Sequence, residues 1–308
     1  MPSINKKPSF GGRPKKSLGQ NFLKSKRILA LIVDVAQIAP DDVVLEIGPG
    51  KGALTAKLLE KIGGFSGGLS NGSGKVIAVE KDDLLVPYLQ ELFAKEIASG
   101  KLNLIHGDIL EIGAEILAKL ATKNSSEKNG MHAVYPSYKL VANIPYYITG
   151  ALLRMFLSTE QPPTSMVLML QKEVARRIMA RDGKESLLSL SVKAYGTPKY
   201  IETVKAENFS PKPSVDSAVM LIENISKNFF RTFTEEKFFA VIRAGFAHKR
   251  KLLARNLESA SESGVGEKFD GKFDPKKIAT AFTIGNLNTK SRSEDLPLEK
   301  WKILTDNL

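Results

Sequence analysis

The chain has 308 residues, 43% of them hydrophobic, which suits one large α/β domain with a smaller one and excludes a mainly disordered protein. A formal net charge of +12 favours a polyanionic partner such as nucleic acid. The lack of cysteine excludes disulfides, thiolate metal sites and any thiol nucleophile, and the three histidines (His106, His132, His248) are too scattered to suggest a metal cluster.

In chain order, residues 1–16 are rich in Pro, Gly and Lys and read as a basic arm carrying Lys15 and Lys16. From Ser25, apolar residues at Ile28, Leu29, Ile32, Val35 and Ala36 recur at helical spacing until Pro40 stops them. Short runs rich in Val, Ile and Leu follow at Val43–Ile47, Val76–Val79, Leu102–Ile105, Lys139–Ala142 and Met166–Leu170. Runs that are apolar on both faces, separated by helical patterns, predict a buried, mostly parallel sheet built from crossover units. Gly63–Gly74 and Ala121–Ser137 read as inserted surface loops at the sheet edge opposite any ligand site. A basic helix is expected over Lys172–Ala180, then strands at Lys199–Val204 and Ser217–Ile222. Terminal helices are expected over Glu235–Phe246, Lys249–Ser259, Pro275–Phe282 and Pro297–Leu304. No apolar run reaches the ~20 residues of a membrane span and the N-terminal segment lacks a signal-peptide core, so a cytoplasmic protein is expected.

What ends each strand carries the chemistry. The first closes on Glu46 and the loop Gly48-Pro49-Gly50-Lys51-Gly52, the second on Glu80, the third on Asp108, the fourth on Asn143. In open α/β sheets ligands bind beyond the carboxyl ends of the strands, so these groups are expected to share one edge. The G-x-G-x-G spacing is neither the dinucleotide fingerprint nor a phosphate-binding Walker loop, but it leaves amides free where a ligand can approach closely. Glu80 is placed to accept from two ribose hydroxyls; Asp108 either accepts from an adenine amine or caps the helix after it. Asn143-Ile144-Pro145-Tyr146 offers an amide acceptor, a free carbonyl before Pro and a ring face. Those are the parts needed to clamp an extruded base whose exocyclic amine is a poor nucleophile, although N-x-P-Y also occurs as a plain strand-to-loop turn.

On these motifs the chain resembles the S-adenosylmethionine-dependent methyltransferases, and more narrowly the ribosomal RNA adenine dimethyltransferases of the KsgA type with their relatives that confer macrolide resistance. The resemblance is carried by Ser17–Leu23 (S-L-G-Q-N-F-L), Glu46–Gly52, Asn143–Tyr146, Gln171–Ala175 and Asn208–Ser217 (N-F-S-P-K-P-S-V-D-S). It implies a Rossmann-like α/β catalytic domain over residues 17–226 and a small helical RNA-contacting domain over 233–308. It also implies S-adenosylmethionine bound by Asn21, Leu23, Gly48, Gly50, Glu80, Asp108 and Asn143. The target adenine would be held by Asn143 and Pro145 and sandwiched by Tyr146 and Phe209, with Phe22 shaping the pocket. The implied reaction is dimethylation of adenine amines in small-subunit rRNA, by a monomer acting on an assembling subunit. Lys15, Lys16, Arg176, Arg177, Lys249, Arg250, Lys251 and Arg255 are the expected RNA contacts. The rival readings are a large-subunit rRNA methyltransferase and a non-catalytic RNA-binding factor on the same fold.

Overall fold

The computed structural model of the chain describes residues 10–15, 18–62, 73–113, 116, 137–263 and 273–308. They fall into two compact units, residues 1–172 with 199–225, and residues 173–198 with 226–308.

The first unit is built on nine strands: β1 (Phe22–Leu23), β2 (Val43–Ile47), β3 (Lys75–Glu80), β4 (Leu102–His106), β5 (Tyr138–Asn143), β6 (Ser165–Gln171), β7 (Thr197–Val204), β8 (Phe209–Ser210) and β9 (Ser217–Glu223). Seven of them form one sheet in the order β4-β3-β2-β5-β6-β9-β7. The pairs among β2, β3, β4, β5 and β6 are parallel, and β9 is antiparallel to β6. The central strands β2, β3, β5 and β6 are buried along almost their whole length, as their unbroken apolar sequences require, whereas the edge strand β4 is buried only at Leu102 and opens towards solvent beyond it. Helices Ala53–Ile62, Leu85–Leu92 and Thr149–Ser158 lie among the crossovers. The helix Lys26–Val35 starts at Ser25, whose hydroxyl accepts from the Ile28 amide, and buries Ile28, Leu29, Ile32 and Val33. Burying each such side chain contributes about 1.5–3 kcal/mol.

The order of the strands positions the site. The chain runs outward from β2 through β3 to β4, then returns to the other flank of β2 with β5 and β6. The reversal lies between β2 and β5, and the crevice of such a sheet opens there, at the carboxyl ends. The register pairs Ile47 with both Val79 and Ala142, so Gly48, Glu80 and Asn143 leave the sheet side by side. At the opposite end, the Ser73 amide donates to Asp41 Oδ1 and the Gly74 amide to the Pro40 carbonyl. The two insertions lie largely outside the described residues, as do residues 1–9 and 16 of the basic arm.

The second unit is helical. Helices Leu187–Lys193, Glu235–Gly245, Leu253–Ser263, Pro275–Ile284 and Leu298–Asn307 surround a core containing Trp301, Phe238, Leu253, Leu257 and Leu304, all fully buried. Edge-to-face contacts among Phe229, Phe230, Phe233 and Phe238 extend it. Gly245 sits so close to Trp301 that a Cβ there would lie 2.3 Å from the indole. Two readings of the sequence need correction. The segment 173–198 packs with the helical unit, not with the sheet domain. The helix expected from Lys249 begins at Leu253, because residues 246–252 turn back. Asn256 Nδ2 fixes that turn by donating to the carbonyls of Gly245 and His248.

Among the described residues no helix is long and apolar enough to cross a membrane, and no group of three or more His, Asp or Glu is placed to hold a metal ion.

Candidate active site

A pocket opens at the carboxyl edge of the sheet. Its walls come from Leu18–Phe22, the β2 loop (Ile47, Gly48, Gly50), the ends of β3 and β4 (Glu80, Lys81, Asp108, Ile109), and Asn143–Pro145 with Tyr147 and Ile148. Gly48, Gly50 and Gly52 all have positive φ, at 69°, 58° and 76°. A Cβ on Gly48 would meet no protein atom within 4 Å and would project into ligand space, whereas one on Gly50 would lie 3.0 Å from the Phe22 ring. The β2 loop is thus a backbone cradle with Phe22 packed on it, and the Lys51 ammonium lies 4.9 Å from the centroid of that ring.

Glu80 is almost buried, and both its oxygens are held: Gly50 N donates to Oε2 at 3.0 Å and Asp82 N to Oε1 at 2.8 Å. Burial pushes its carboxyl above the usual carboxylate range, and the two amides oppose that rise. Each oxygen keeps a second lone pair, so a pair of vicinal hydroxyls has two acceptors available. Asp108 makes the cap contact and also stands on the pocket wall. Its Oδ1 accepts from the Leu110 amide at 3.0 Å, as a helix cap would, and its carboxylate also lines the pocket beside the Lys81 ammonium. Partial burial alone would raise its carboxyl, but Lys81 and the Leu110 amide outweigh this and hold it below its ordinary value. Glu46, one residue before the pocket wall, is fully buried beside Thr55, and burial pushes its carboxyl up to about 8.

Asn143 closes the site on the β5 side. Its Nδ2 donates to the Asn21 carbonyl at 3.2 Å, which ties the N-terminal segment to the sheet and leaves Oδ1 with no protein donor among the described residues. The Ile144 amide is spent on the Met169 carbonyl at 3.1 Å, so the turn stays rigid. Tyr146 is half-buried, its hydroxyl 2.9 Å from Ser217 Oγ, and burial raises its phenol. It does not line the pocket; the neighbouring, exposed Tyr147 does.

Two sequence-based assignments are corrected here. Leu23 and Phe209 do not reach the pocket; they are 8% and 2% exposed and belong to the core. The cause is strand geometry. β1 and β8 pair antiparallel with Leu23 opposite Phe209 and Phe22 opposite Ser210. Cross-strand partners share a face and successive residues alternate, so Phe22 on the pocket wall sends Leu23, and with it Phe209, into the core. Phe209 therefore offers no ring face to a base in this conformation.

The basic residues divide. Lys15 is committed to an internal partner, its ammonium lying 2.8 Å from Asp82 Oδ1, and Lys16 lies outside the described residues. Arg176, Arg177 and Lys249 come together around a basin of about 900 Å³ within the helical unit, with Arg181, Lys184 and the carboxylates of Glu173, Asp182, Glu185 and Glu294. Arg250 and Lys251 are exposed on the turn after Gly245, and Arg255 is exposed and paired with Glu258 at 3.1 Å. Sequence reasoning missed Gln20, Lys81, Asp82 and Tyr147. The E-K-D run that begins with the last residue of β3 was the available signal, since a second carboxylate two residues beyond a ligand-facing Glu is positioned to brace it.

Comparison with known proteins agrees with this architecture. A sequence model of the family described as ribosomal RNA adenine dimethylase matches residues 11–292. A protein of Dehalococcoides mccartyi named ribosomal RNA small subunit methyltransferase A is 38% identical over 293 residues, covering 95% of this chain and 87% of the relative. A dimethyladenosine transferase from Plasmodium falciparum superposes with a TM-score of 0.66 at 26% identity, over 92% of this chain and 95% of its own. The fold is also shared with the 23S rRNA methyltransferase ErmE, at a TM-score of 0.64 and 21% identity over 94% of this chain and 99% of that one. The sheet with its glycine cradle, the Asn143 turn and a match across most of the length lead to one conclusion: this chain belongs to the ribosomal RNA adenine dimethylase family, whose methyl donor is S-adenosylmethionine.

Proposed function

We propose that this protein transfers methyl groups to the exocyclic amine of adenines in small-subunit ribosomal RNA, twice on the same nitrogen, acting as a monomer on an assembling subunit. The observation that carries the reading is the acceptor Oδ1 of Asn143, left free at the pocket rim while its Nδ2 is anchored. The names of relatives at 38% and 26% identity support the substrate class.

The pocket suits a nucleoside-bearing methyl donor. Gly48 leaves room that any side chain would fill, Glu80 presents a carboxylate to vicinal hydroxyls, and Asp108 beside the apolar Ile109 presents an acceptor for a ring amine. S-adenosylmethionine, when bound, supplies an electrophilic methyl on a sulfonium. Everything else falls to the chain's own residues. Asn143 Oδ1 and the Ile144 carbonyl accept hydrogen bonds from the target amine, and those bonds strengthen as nitrogen gains positive charge during attack. No strong base is required, because the proton departs to water from an already cationic nitrogen. Tyr146 stacks on the base, at about 1–3 kcal/mol per ring face. Of the RNA contacts expected from the sequence we retain Arg176, Arg177 and Lys249 around the basin, with Arg250, Lys251 and Arg255 beside the Gly245 turn, and assign residues 233–308 to RNA contact.

A labelled-methyl assay offering small subunits, large-subunit RNA and DNA in parallel tests the proposal. Dimethyladenine on small subunits alone is expected; label on large-subunit RNA or DNA in preference would overturn the substrate assignment.

A further inference from the structure

Asp82 is a carboxylate that the proposed chemistry does not use. It is 1% exposed, lies outside the pocket wall and gathers contacts from both sides of the pocket mouth. Its Oδ1 accepts from the Lys15 ammonium at 2.8 Å and from the Leu84 amide at 3.0 Å. Its Oδ2 accepts from Gln20 Nε2 at 2.6 Å, and Gln20 Oε1 in turn accepts from the Lys15 amide at 2.8 Å. Its own amide donates to Glu80 Oε1 at 2.8 Å. Residues Leu18–Phe22 form one wall of the pocket, which is also tied by the Asn143 bond to the Asn21 carbonyl and, at its end, by the pairing of β1 with β8. One buried carboxylate thus fastens the N-terminal wall to the loop that orients Glu80.

We propose that Asp82 is a positioning residue: a latch that holds residues 18–22 across the cofactor pocket, keeps Glu80 turned into it, and thereby sets how long the cofactor stays bound. A charge-assisted bond to a buried carboxylate is stronger than a neutral one, and leaving that carboxylate without its donors is costly. The wall and Glu80 therefore hold or loosen together. The latch rests on the cofactor assignment, and its signature is kinetic. Entry and escape both pass this wall, but contacts between the wall and a bound cofactor add to the latch only in the complex, so the larger change is expected in escape.

The test measures association and dissociation of S-adenosylhomocysteine with the full chain, together with hydrogen exchange of residues 18–22 in the ligand-free protein. Asp82→Asn should speed dissociation ~10-fold, raise association by a smaller factor, and raise exchange in residues 18–22. Gln20→Glu sets two carboxylates against each other and should do the same. Combining Gln20→Glu with Asp82→Asn restores a donor opposite an acceptor and should bring dissociation back within ~3-fold of the original. An unchanged dissociation rate in Asp82→Asn, or a double variant no better than either single one, overturns the latch; rescue excludes simple misfolding. Failure of the unsubstituted protein to bind S-adenosylhomocysteine would instead overturn the cofactor assignment beneath it.

Discussion

Individual residues in the pocket have separable duties, and substitutions should separate them. Asn143→Ala removes the acceptor for the amine while sparing the ribose and adenine contacts, so methyl transfer should fall about 10²–10³-fold in kcat. Cofactor affinity should move much less, which calorimetry will report; a parallel collapse of affinity would make Asn143 a cofactor ligand first. Tyr146→Ala should cost transfer in the same way, whereas Phe209→Ala should act chiefly on stability, by about 3–5 kcal/mol, because its ring is core. Asp108→Ala should weaken cofactor binding, and unchanged affinity would leave Asp108 as a helix cap. Glu46 gives a pH signature with a definite sign. Its folded-state value near 8 stands above the ordinary 4.5, so the folded protein binds the extra proton more tightly. Stability from this group is full below pH 4.5 and is lost as pH rises towards 8. Glu46→Gln should match the original protein in acid and exceed it by a few kcal/mol at pH 8, as read from urea melts across that range.

Among the elements, the strands of the sheet were legible because burial on both faces writes an unbroken apolar run, and β2, β3, β5 and β6 lie where those runs predicted. The carboxyl-edge groups Gly48, Glu80, Asp108 and Asn143 were legible for the same reason, since the residue after a parallel strand is fixed by topology. The two-residue strands β1 and β8 were not. A strand that short has no period to read, and which of Phe22, Leu23, Phe209 and Ser210 faces the pocket depends on a pairing between distant segments. The Gln20–Asp82 contact was hidden likewise, because nothing local marks a carboxylate as the partner of a remote amide. The β2 loop is the element where backbone shape matters most. Gly48→Ala, at φ 69° with its new methyl aimed into ligand space, should weaken cofactor affinity at least ~10-fold while leaving the melting temperature within a few degrees. Gly245→Ala should show the reverse pattern, with about 1–3 kcal/mol lost because its methyl meets Trp301 and cofactor affinity retained.

For the whole molecule, the +12 charge is the feature that composition supplied and the fold distributes unevenly. Many cations are neutralised internally: Lys15 by Asp82, Lys81 by Asp108, Lys184 by Glu294 and Lys193 by Glu185. What remains for a polyanion includes the exposed Lys249, Arg250 and Lys251 on the turn that Asn256 fixes. These three side chains carry no packing role, so Lys249→Ala, Arg250→Ala and Lys251→Ala together should leave the melting temperature and cofactor affinity unchanged. If each neutralises one RNA phosphate, removing all three lowers the dependence of log affinity on log salt by about 2, from ~0.7 counterions released per contact on single-stranded RNA. Binding of ribosomal RNA measured across 50–200 mM salt, ~10 mM steps being ample, reads that slope directly. A uniform loss of affinity with an unaltered slope would mean that the turn shapes the surface without touching phosphate. The flattened slope is the expected result, because among the described residues no carboxylate forms an ion pair with Lys249, Arg250 or Lys251, although Lys249 borders the basin that holds Glu173 and Glu294.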